Sequence, residues 1–405
     1  QGFSHVVLLD CDTIELKPEV RQMCASGSCH KYDKCWSCPP GCGSLEECEA
    51  RVRQYKKGII VQTVGELEDA LDGEGMMETL FENLTSGSMV FLIRQTLIYA
   101  VPLMVVALAG VYAERSGVIN LALEGIMIMG AFSSILFINI VQSSGAALPP
   151  QLLLLLAVLI AAAVGVLVSM AHAYASINMK ADQVISGTAI NMFAPAFAIF
   201  AARMIRSVQQ IPFSNTFRIT KVPVLGDIPV LGPLLFQNTY ITTYLGFAVL
   251  AVSAVVLYKT RFGLRLRACG EHPQAADSVG VNVYRMRYAG VAISGALAGV
   301  GGLVFVVPTS TNFNATVAGY GFLALAVLIF GQWRPSRILF AAFFFGLMKT
   351  VASAYSGIPF LANLGIPNDV YKMVPYVATL IVLAFTSKNS MAPRAEGIPY
   401  DKGSR

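Results

Sequence analysis

The chain has 405 residues, of which 55% are hydrophobic and only 13% are charged, and its mean hydropathy is +0.62. Soluble domains carry about 25% charged residues, so this composition excludes an ordinary soluble enzyme and also a disordered protein. Residues 1–95 hold 9 Lys/Arg against 15 Asp/Glu and seven of the eight cysteines, whereas residues 96–405 hold 20 Lys/Arg against 9 Asp/Glu. Two different kinds of segment therefore share the chain.

The N-terminal segment concentrates its cysteines in a short stretch. Cys35 and Cys38 form a Cys-x2-Cys pair, which is typical of metal ligation because two sulfurs at this spacing can reach one ion. We predict that zinc or an iron–sulfur cluster binds to Cys24, Cys29, Cys35, Cys38 and Cys42. The alternative is a set of disulfides in an extracytoplasmic segment.

The same segment is similar to a known family. Its Cys-Pro-Pro at residues 38–40 and the Leu-Glu-Glu-Cys at residues 45–48 resemble a family of small predicted metal-binding proteins. The resemblance ends near Glu78. We therefore expect residues 1–80 to be an incomplete Cys-rich module and residues 81–94 to be a junction.

Long uncharged runs dominate the rest of the chain. Residues 125–179 contain no Asp, Glu, Lys or Arg, and this length suffices for two membrane-spanning helices of about 20 residues each. We predict a transmembrane domain over residues 95–387 with spans at 95–113, 118–141, 151–172, 183–203, 239–258, 288–308, 319–332, 338–354 and 366–386. The run 319–332 is short for a full crossing, so we expect it to be tilted, thin or re-entrant. The predicted fold is an all-α polytopic membrane protein, with about 8–9 transmembrane helices behind a small Cys-rich segment.

Basic residues predict the orientation in the membrane. They are concentrated in the connection between the fifth and sixth spans, and the positive-inside rule places such a short loop in the cytoplasm. Counting spans from this loop makes residues 388–405 a cytoplasmic tail and places the residues before the first span outside. We predict a multi-pass protein of the plasma (inner) membrane, in contact with membrane lipid.

Polar residues inside the spans are costly and usually mark a solute pathway or a helix contact. Candidate pathway residues are Asn120, Glu124, Gln183, Asn191, Phe193 and Phe197. The amides and the carboxylate would hydrogen-bond to polar groups of a solute, and the aromatic rings would offer it apolar faces. The alternative is that these side chains form only interhelical hydrogen bonds and apolar contacts.

The loop between the fifth and sixth spans, residues 261–287, has the strongest pattern. After Pro273, residues 274–279 favour a short helix that Gly280 would end. Residues 293–302 follow and are rich in small residues, which let membrane helices approach closely. By composition alone this is an ordinary basic loop before a closely packed helix.

This loop resembles the coupling segment of permease subunits of ATP-binding-cassette (ABC) importers, in the branched-chain amino acid/ribose/nucleoside permease superfamily. Four other stretches carry the same resemblance in the family's order: 112–125, 181–187, 319–331 and 392–400. The amino-acid sequences of these stretches are most similar to those of nucleoside (simple sugar) uptake permeases. The resemblance covers about residues 90–405.

The resemblance implies a transport subunit that is not an enzyme, translocates a nucleoside or related sugar-containing solute and needs no cofactor in its permease domain. Its implied partners are a separate ABC ATPase, a second permease subunit and an extracytoplasmic substrate-binding lipoprotein, without nucleic acid. The sequence contains no Gly-x4-Gly-Lys-Ser/Thr phosphate loop, so we expect ATP hydrolysis in the partner. The implied coupling residues are Arg265, Arg267, Gly270, Glu271, His272, Pro273, Ala275, Ala276, Asp277 and Gly280.

Two other functions stay open from the residues alone. An ion-coupled secondary transporter would show paired intramembrane acids or broken helices in repeated halves, and Glu124 by itself is slight support for it. A metal-binding redox or sensor protein would use the membrane part only as an anchor, which requires far fewer spans.

Overall fold

The computed structural model describes residues 5–10, 44–54, 57–62, 73–145, 148–223, 226, 228, 232–354, 370, 373, 377 and 391–403. The chain divides into two compact units, residues 1–85 and residues 86–405. The predicted metal ligands Cys24, Cys29, Cys35, Cys38 and Cys42 lie outside the described residues. Most of the ninth predicted span, 366–386, also lies outside them.

The first unit contains a two-stranded sheet. Strands β1 (His5–Asp10) and β2 (Lys57–Gln62) pair antiparallel, with His5 opposite Gln62. Helix α1 (Leu45–Val52) begins at a reciprocal cap, in which the Ser44 N–H donates to the Glu47 carboxylate at 2.8 Å and the Glu47 N–H donates to Ser44 Oγ at 3.1 Å. Within the described part of the chain, no three His, Cys, Asp or Glu side chains are placed to hold a metal ion.

The second unit is a bundle of helices. Seven of the described helices are long and apolar enough to cross a membrane, the first of them over its part Val90–Glu114. The helices are α2 (Gly73–Glu114, of which residues 86–114 belong to this unit), α3 (Leu123–Ser143), α4 (Pro150–Ile177), α5 (Gln183–Arg206), α6 (Ile241–Lys259), α7 (Arg261–Glu271), α8 (Pro273–Ser278), α9 (Val283–Thr309), α10 (Tyr320–Phe330) and α11 (Pro335–Ala354). The seven membrane-length helices confirm seven of the first eight predicted spans, and the predicted short run 319–332 contains the 11-residue helix α10.

Small strand pairs occupy one end of the bundle, where α5 ends and α6 begins. Strand β3 (Ile211–Pro212) pairs with β6 (Asn312–Phe313), which follows α9. Strand β4 (Arg218–Lys221) pairs with β5 (Gln237–Tyr240), and a π-helical turn at Gly232–Phe236 precedes β5. Because β3 pairs with β6, the connections after α5 and after α9 lie at the same end.

Helices α3, α4 and α9 approach each other through glycines. A Cβ atom on Gly299 would lie 2.2 Å from the Ala161 oxygen, and one on Gly165 would lie 2.1 Å from the Gly295 oxygen. A Cβ on Gly130 of α3 would lie 2.5 Å from the Cα atom of Gly299. Any side chain at these positions would push the backbones apart, so the small-residue run of α9 forms the close contact that its sequence predicts.

The C-terminal segment 391–403 lies at the opposite end of the bundle, which we call the tail end. The Ala395 N–H donates to the Gly270 oxygen at 2.8 Å, and Arg287 Nη1 donates to the Ile398 oxygen at 3.0 Å. Arg287 lies near the start of α9, and the 27 residues of this helix rise about 40 Å. Its last residue, Thr309, therefore lies far from the tail end.

Candidate translocation and coupling sites

Residues 115–122 run into the bundle without helical structure, between α2 and α3. Gly117 lies so close to Arg287 that a Cβ on this glycine would be 2.9 Å from the guanidinium. Asn120 Nδ2 donates to Ser294 Oγ at 2.9 Å, two turns or about 10 Å further along α9. Helix α3 therefore begins five residues after the predicted span start, because residues up to Ala122 form a non-helical segment.

We call residues 115–122 the broken segment. Side chains of α5 form hydrogen bonds with its backbone. Gln183 Oε1 accepts from the Ile119 N–H at 2.7 Å. Asn191 Nδ2 donates to the Leu121 oxygen and its Oδ1 accepts from the Gly125 N–H, both at 2.7 Å. Backbone groups inside a membrane need such partners, since no water replaces them. The two amides therefore hold the broken segment in place.

Glu124 caps the short helix α10 from a neighbouring helix. Its Oε1 accepts from the Gly319 N–H at 3.0 Å and its Oε2 accepts from the Gly321 N–H at 2.6 Å. The first N–H groups of a helix have no partner within it, and a carboxylate there also opposes the positive end of the helix dipole. Helix α10 thus starts inside the bundle as a half-helix. It ends at the tail end, where Gln332 accepts a hydrogen bond from the Met391 N–H, so residues 319–332 complete a crossing that begins at β6 and are short rather than re-entrant.

The two aromatic candidates lie away from these polar residues. The rings of Phe193 and Phe197 stack with centroids 5.4 Å apart on a face of α5 where 58% and 37% of their surfaces are exposed. The structure thus brings Asn120, Glu124, Gln183 and Asn191 together around residues 115–125 and leaves the phenylalanines outside that group. A role of any of these six residues in contacting solute stays a prediction.

Sequence reasoning gave no role to His172, which lies fully buried on α4. Its Nε2 lies 2.8 Å from the Ile119 oxygen and its Nδ1 lies 2.9 Å from Ser186 Oγ. Its place near the end of a predicted span was the only signal, and that signal did not indicate a partner. After Gln183 and Asn191, His172 is thus a third side chain that hydrogen-bonds to a backbone group of the broken segment.

The predicted coupling loop folds as two helices, α7 and α8. The short helix expected after Pro273 is confirmed as α8, and Gly280 beyond it has φ +85°. Helix α7 is amphipathic and buries Gly263, Leu266 and Cys269 against the bundle. The opposite faces of the two helices are exposed and include Leu264, Arg265, His272, Ala275 and Val279.

Three of the predicted coupling residues, Arg267, Gly270 and Glu271, contact the bundle. The Arg267 guanidinium lies over the Tyr258 ring, 4.8 Å from its centroid. Glu271 Oε1 lies 3.3 Å from Arg115 Nη1, just beyond the first spanning helix. Burial lowers the pKa of Arg115, and the Glu271 carboxylate opposes this shift. Gly270 has no room for a Cβ, which would lie 2.5 Å from the Arg115 oxygen.

The tail connects helices α7 and α8 to the broken segment. It bonds to Gly270 of α7 as described, and the Gly397 N–H donates to the Gly117 oxygen at 3.3 Å. Further contacts are Lys180–Asp401 at 3.0 Å, Lys402–Asp277 at 3.9 Å and the Tyr284–Tyr400 rings at 5.4 Å. Sequence reasoning missed this role, and its only signal was the place of residues 392–400 among the resembling stretches.

A pair of carboxyl groups lies where the tail meets the membrane helices. Trp333, just after α10, donates its Nε1–H to Glu114 at the end of α2. Glu396 of the tail is half-buried and hydrogen-bonded to Glu114. Burial raises the pKa of Glu396, although the hydrogen bond with Glu114 lowers it. The end of α10 is therefore linked to the tail through Glu114.

Seven membrane-length helices, with a non-helical segment and a half-helix inside the bundle, define a multi-pass helical membrane protein, and transport proteins use such an architecture. The chain matches the family described as the permease component of the branched-chain amino acid transport system over residues 92–383, and it belongs to that family. Like the other members, it is a permease subunit of the plasma membrane and not itself an enzyme. Residues 7–104 match a second family, described as predicted metal-binding proteins.

Curated relatives match more than two thirds of the chain. The guanosine ABC transporter permease protein NupQ of Bacillus subtilis is 45% identical over 317 residues, which are 78% of this chain and 97% of the relative. The nucleoside ABC transporter permease protein NupC of Lactococcus lactis is 41% identical over 312 residues, covering 77% and 96%. The glucose ABC transporter permease protein TsgB13 of Haloferax volcanii is 24% identical over 341 residues, covering 82% and 85%. No solved structure matches.

Proposed function

We propose that this chain translocates nucleosides across the plasma membrane as a permease subunit of an ABC importer, driven by ATP that a separate subunit hydrolyses. The observation that carries the proposal is the 45% identity to a guanosine permease over 97% of that relative. The seven membrane-length helices and the exposed coupling helices support it. The broken segments alone would also suit an ion-coupled carrier, but the family match favours the ABC importer.

The exposed surface of α7 and α8 is the proposed docking site for the ATPase. Leu264 and Val279 expose 62% and 78% of their surfaces, and Arg265 lies beside Leu264. Apolar residues next to a cation are suited to a protein partner, because burial supplies affinity and the charge steers the encounter. The buried opposite face would pass motion of the ATPase to the bundle.

Partners of the permease are also proposed from the relatives. An ABC importer of nucleosides would pair this chain with a second permease subunit and take solute from an extracytoplasmic binding lipoprotein. Helix α5 exposes several large apolar side chains that suit such a pairing, with Ile185 and Met192 at 70% and 73% exposure. Lipid or the second permease would cover this face.

We place the tail end of the bundle in the cytoplasm. Basic residues cluster there: Arg115, Lys180, Lys259, Arg261, Arg265, Arg267, Arg285, Arg287, Arg334, Arg337, Arg394 and Lys402. The native thiol of Cys269 is a poor reporter of orientation, since it is fully buried and burial raises its pKa to about 11. Val279→Cys at the tail end and Thr311→Cys at the opposite end are exposed alternatives.

The orientation test labels each cysteine variant in intact cells with a thiol reagent that cannot cross membranes. We expect Thr311→Cys to react and Val279→Cys to react only after the membrane is permeabilised. Labelling of Val279→Cys in intact cells would contradict both the orientation and the docking site.

The functional test measures uptake of labelled guanosine, adenosine and ribose by cells that express the complete set of subunits. We expect nucleoside uptake that is lost when the ATPase carries an inactive phosphate loop. Uptake that survives this change and collapses with the ion gradient would instead support a secondary transporter. ATPase association without uptake of any nucleoside would contradict the proposed solute.

For the N-terminal segment we propose thiolate metal binding at residues 24–42, supported by the match over residues 7–104. The test is the zinc and iron content of the full chain purified under reducing conditions, compared with a Cys35→Ser/Cys38→Ser variant. Equal metal content in both proteins would contradict the proposal.

A further inference from the structure

A cavity of about 270 Å³ opens in the half of the bundle away from the tail end. Its walls come from α2, the end of α9, the loop before α10 and the helix α11. The residues that matter for its chemistry are Tyr99, Phe305, Asn312, Asn314, Tyr320 and Lys349. Pockets for drug-sized ligands measure about 300–1,000 Å³, so this one fits a smaller solute.

Aromatic rings form the floor of the cavity. The rings of Phe305 and Tyr320 have centroids 4.1 Å apart, and the Tyr99 ring lies 6.4 Å from that of Tyr320. Tyr320 is the first residue of α10, directly after the Gly319 that Glu124 binds. The carboxylate of Glu124 therefore positions the floor and does not itself enter the cavity lining.

Lys349 supplies a charged donor in the wall. Its Nζ lies 5.9 Å from the centroid of the Tyr320 ring, and among the described residues no acidic side chain forms an ion pair with it. A lysine within a membrane helix is rare and usually marks a solute pathway. Its ammonium group can donate to oxygen or nitrogen acceptors, as on the O6 and N7 edge of guanine.

The rim of the cavity is held in an unusual backbone conformation. Ala315 and Ala318 have φ of +57° and +53°, in the left-handed region that residues with a Cβ rarely adopt. Asn312 and Asn314 of the same loop are exposed and line the opening. Strained positions of this kind concentrate at ligand-binding loops.

We infer that this cavity is a solute-binding subsite that takes a purine nucleoside, with the base on the Phe305 and Tyr320 rings and its acceptor edge toward Lys349. The inference rests on the proposed function and adds the place and contacts of the solute. Asn312 and Asn314 at the opening are suited to bind the ribose hydroxyls, since amides both donate and accept.

The first experiment compares guanosine uptake by Lys349→Gln, Lys349→Arg and Leu347→Ala in cells with all subunits. Leu347 is a matched control, because it lies on the same helix but lines a separate apolar cavity. We expect about tenfold slower uptake for Lys349→Gln, near-normal uptake for Lys349→Arg, and wild-type uptake for Leu347→Ala, at equal membrane levels and equal ATPase association. Normal guanosine uptake by Lys349→Gln would overturn the inference and leave the proposed function intact.

The second experiment does not depend on any variant folding. The wild-type complex is photolabelled with 8-azidoguanosine, and the labelled peptides are mapped. We expect label within residues 305–320 or at Lys349, reduced by excess guanosine. Label confined to other segments would overturn the subsite, whereas absence of both label and nucleoside uptake would overturn the proposed function together with it.

Discussion

The Arg115 guanidinium lies 3.3 Å from the Glu271 carboxylate and so joins the first spanning helix to the end of α7. The side chain of Arg115 is 10% exposed and that of Glu271 is 41% exposed. The neighbouring Gly270 touches the backbone of the same arginine. A displacement of α7 by a docked partner would therefore reach the broken segment directly.

We expect this pair to matter for coupling more than for stability. Glu271→Arg should lower ATP-dependent uptake because two cations then face each other, and the Arg115→Glu/Glu271→Arg exchange should restore part of it. The effect on stability should stay near 1 kcal/mol or below, since the carboxylate is partly exposed to solvent. A double-mutant cycle on uptake and on thermal unfolding measures both quantities.

The Lys180–Asp401 pair provides the control for that cycle. Its side chains are 46% and 52% exposed, and its exchange should change neither uptake nor stability measurably. Equal losses of uptake from the single charge reversals in both pairs, without recovery in either exchange variant, would contradict a role of the Arg115–Glu271 pair in coupling.

Glu124 should behave as a structural cap. Glu124→Gln keeps one acceptor oxygen and leaves one buried N–H of Gly319 or Gly321 without its partner, at a cost of about 1–3 kcal/mol. Glu124→Ala loses both bonds and should unfold at a lower temperature than Glu124→Gln. Thr188→Ala on the exposed side of α5 is the control and should unfold like the wild type. Unchanged unfolding of both Glu124 variants with abolished uptake would instead assign the carboxylate to the solute.

Gly299 should tolerate no side chain. Gly299→Ala places a methyl group 2.2 Å from the Ala161 oxygen, so α4 and α9 must separate, at about 1–3 kcal/mol or more. Alanine otherwise favours a helix over glycine by about 0.5–1 kcal/mol, so any loss of stability reports the contact. Ala189→Val on the exposed face of α5 is the control for added volume. Thermal unfolding in detergent measures both, and a stabilised Gly299→Ala would contradict the contact.

Attachment of the tail should depend on pH through Glu396. Burial raises its pKa above the value in a free chain, so the protonated form favours the attached tail. The contribution is present below the ordinary glutamate pKa and is lost as pH rises through the raised value. Glu396→Gln should remove this part of the pH dependence and protect the tail amides from hydrogen exchange at neutral pH. Identical pH profiles of exchange for the two proteins would contradict the prediction.

Much of the architecture follows from local patterns. The charge-free run of residues 125–179, the prolines at 149 and 150, and the small residues of 293–302 each act within a single helix or turn. Hydropathy and turn chemistry suffice there, because a membrane helix must satisfy its own backbone and face lipid or another helix. Pro273 and Gly280 also act locally, on the start and the end of one short helix, and they predict the bounds of α8 well.

The sequence by itself determined the class of protein, its membrane-length helices and the short helix after Pro273. Only the tertiary structure decided that Glu124 caps α10 and that the tail hydrogen-bonds to Gly270. It alone also places Phe305, Tyr320 and Lys349 in one cavity. The physical reason is distance along the chain: Glu124 and Gly319 are 195 residues apart. No local pattern records which polar side chain will satisfy a backbone group that another helix brings into the bundle.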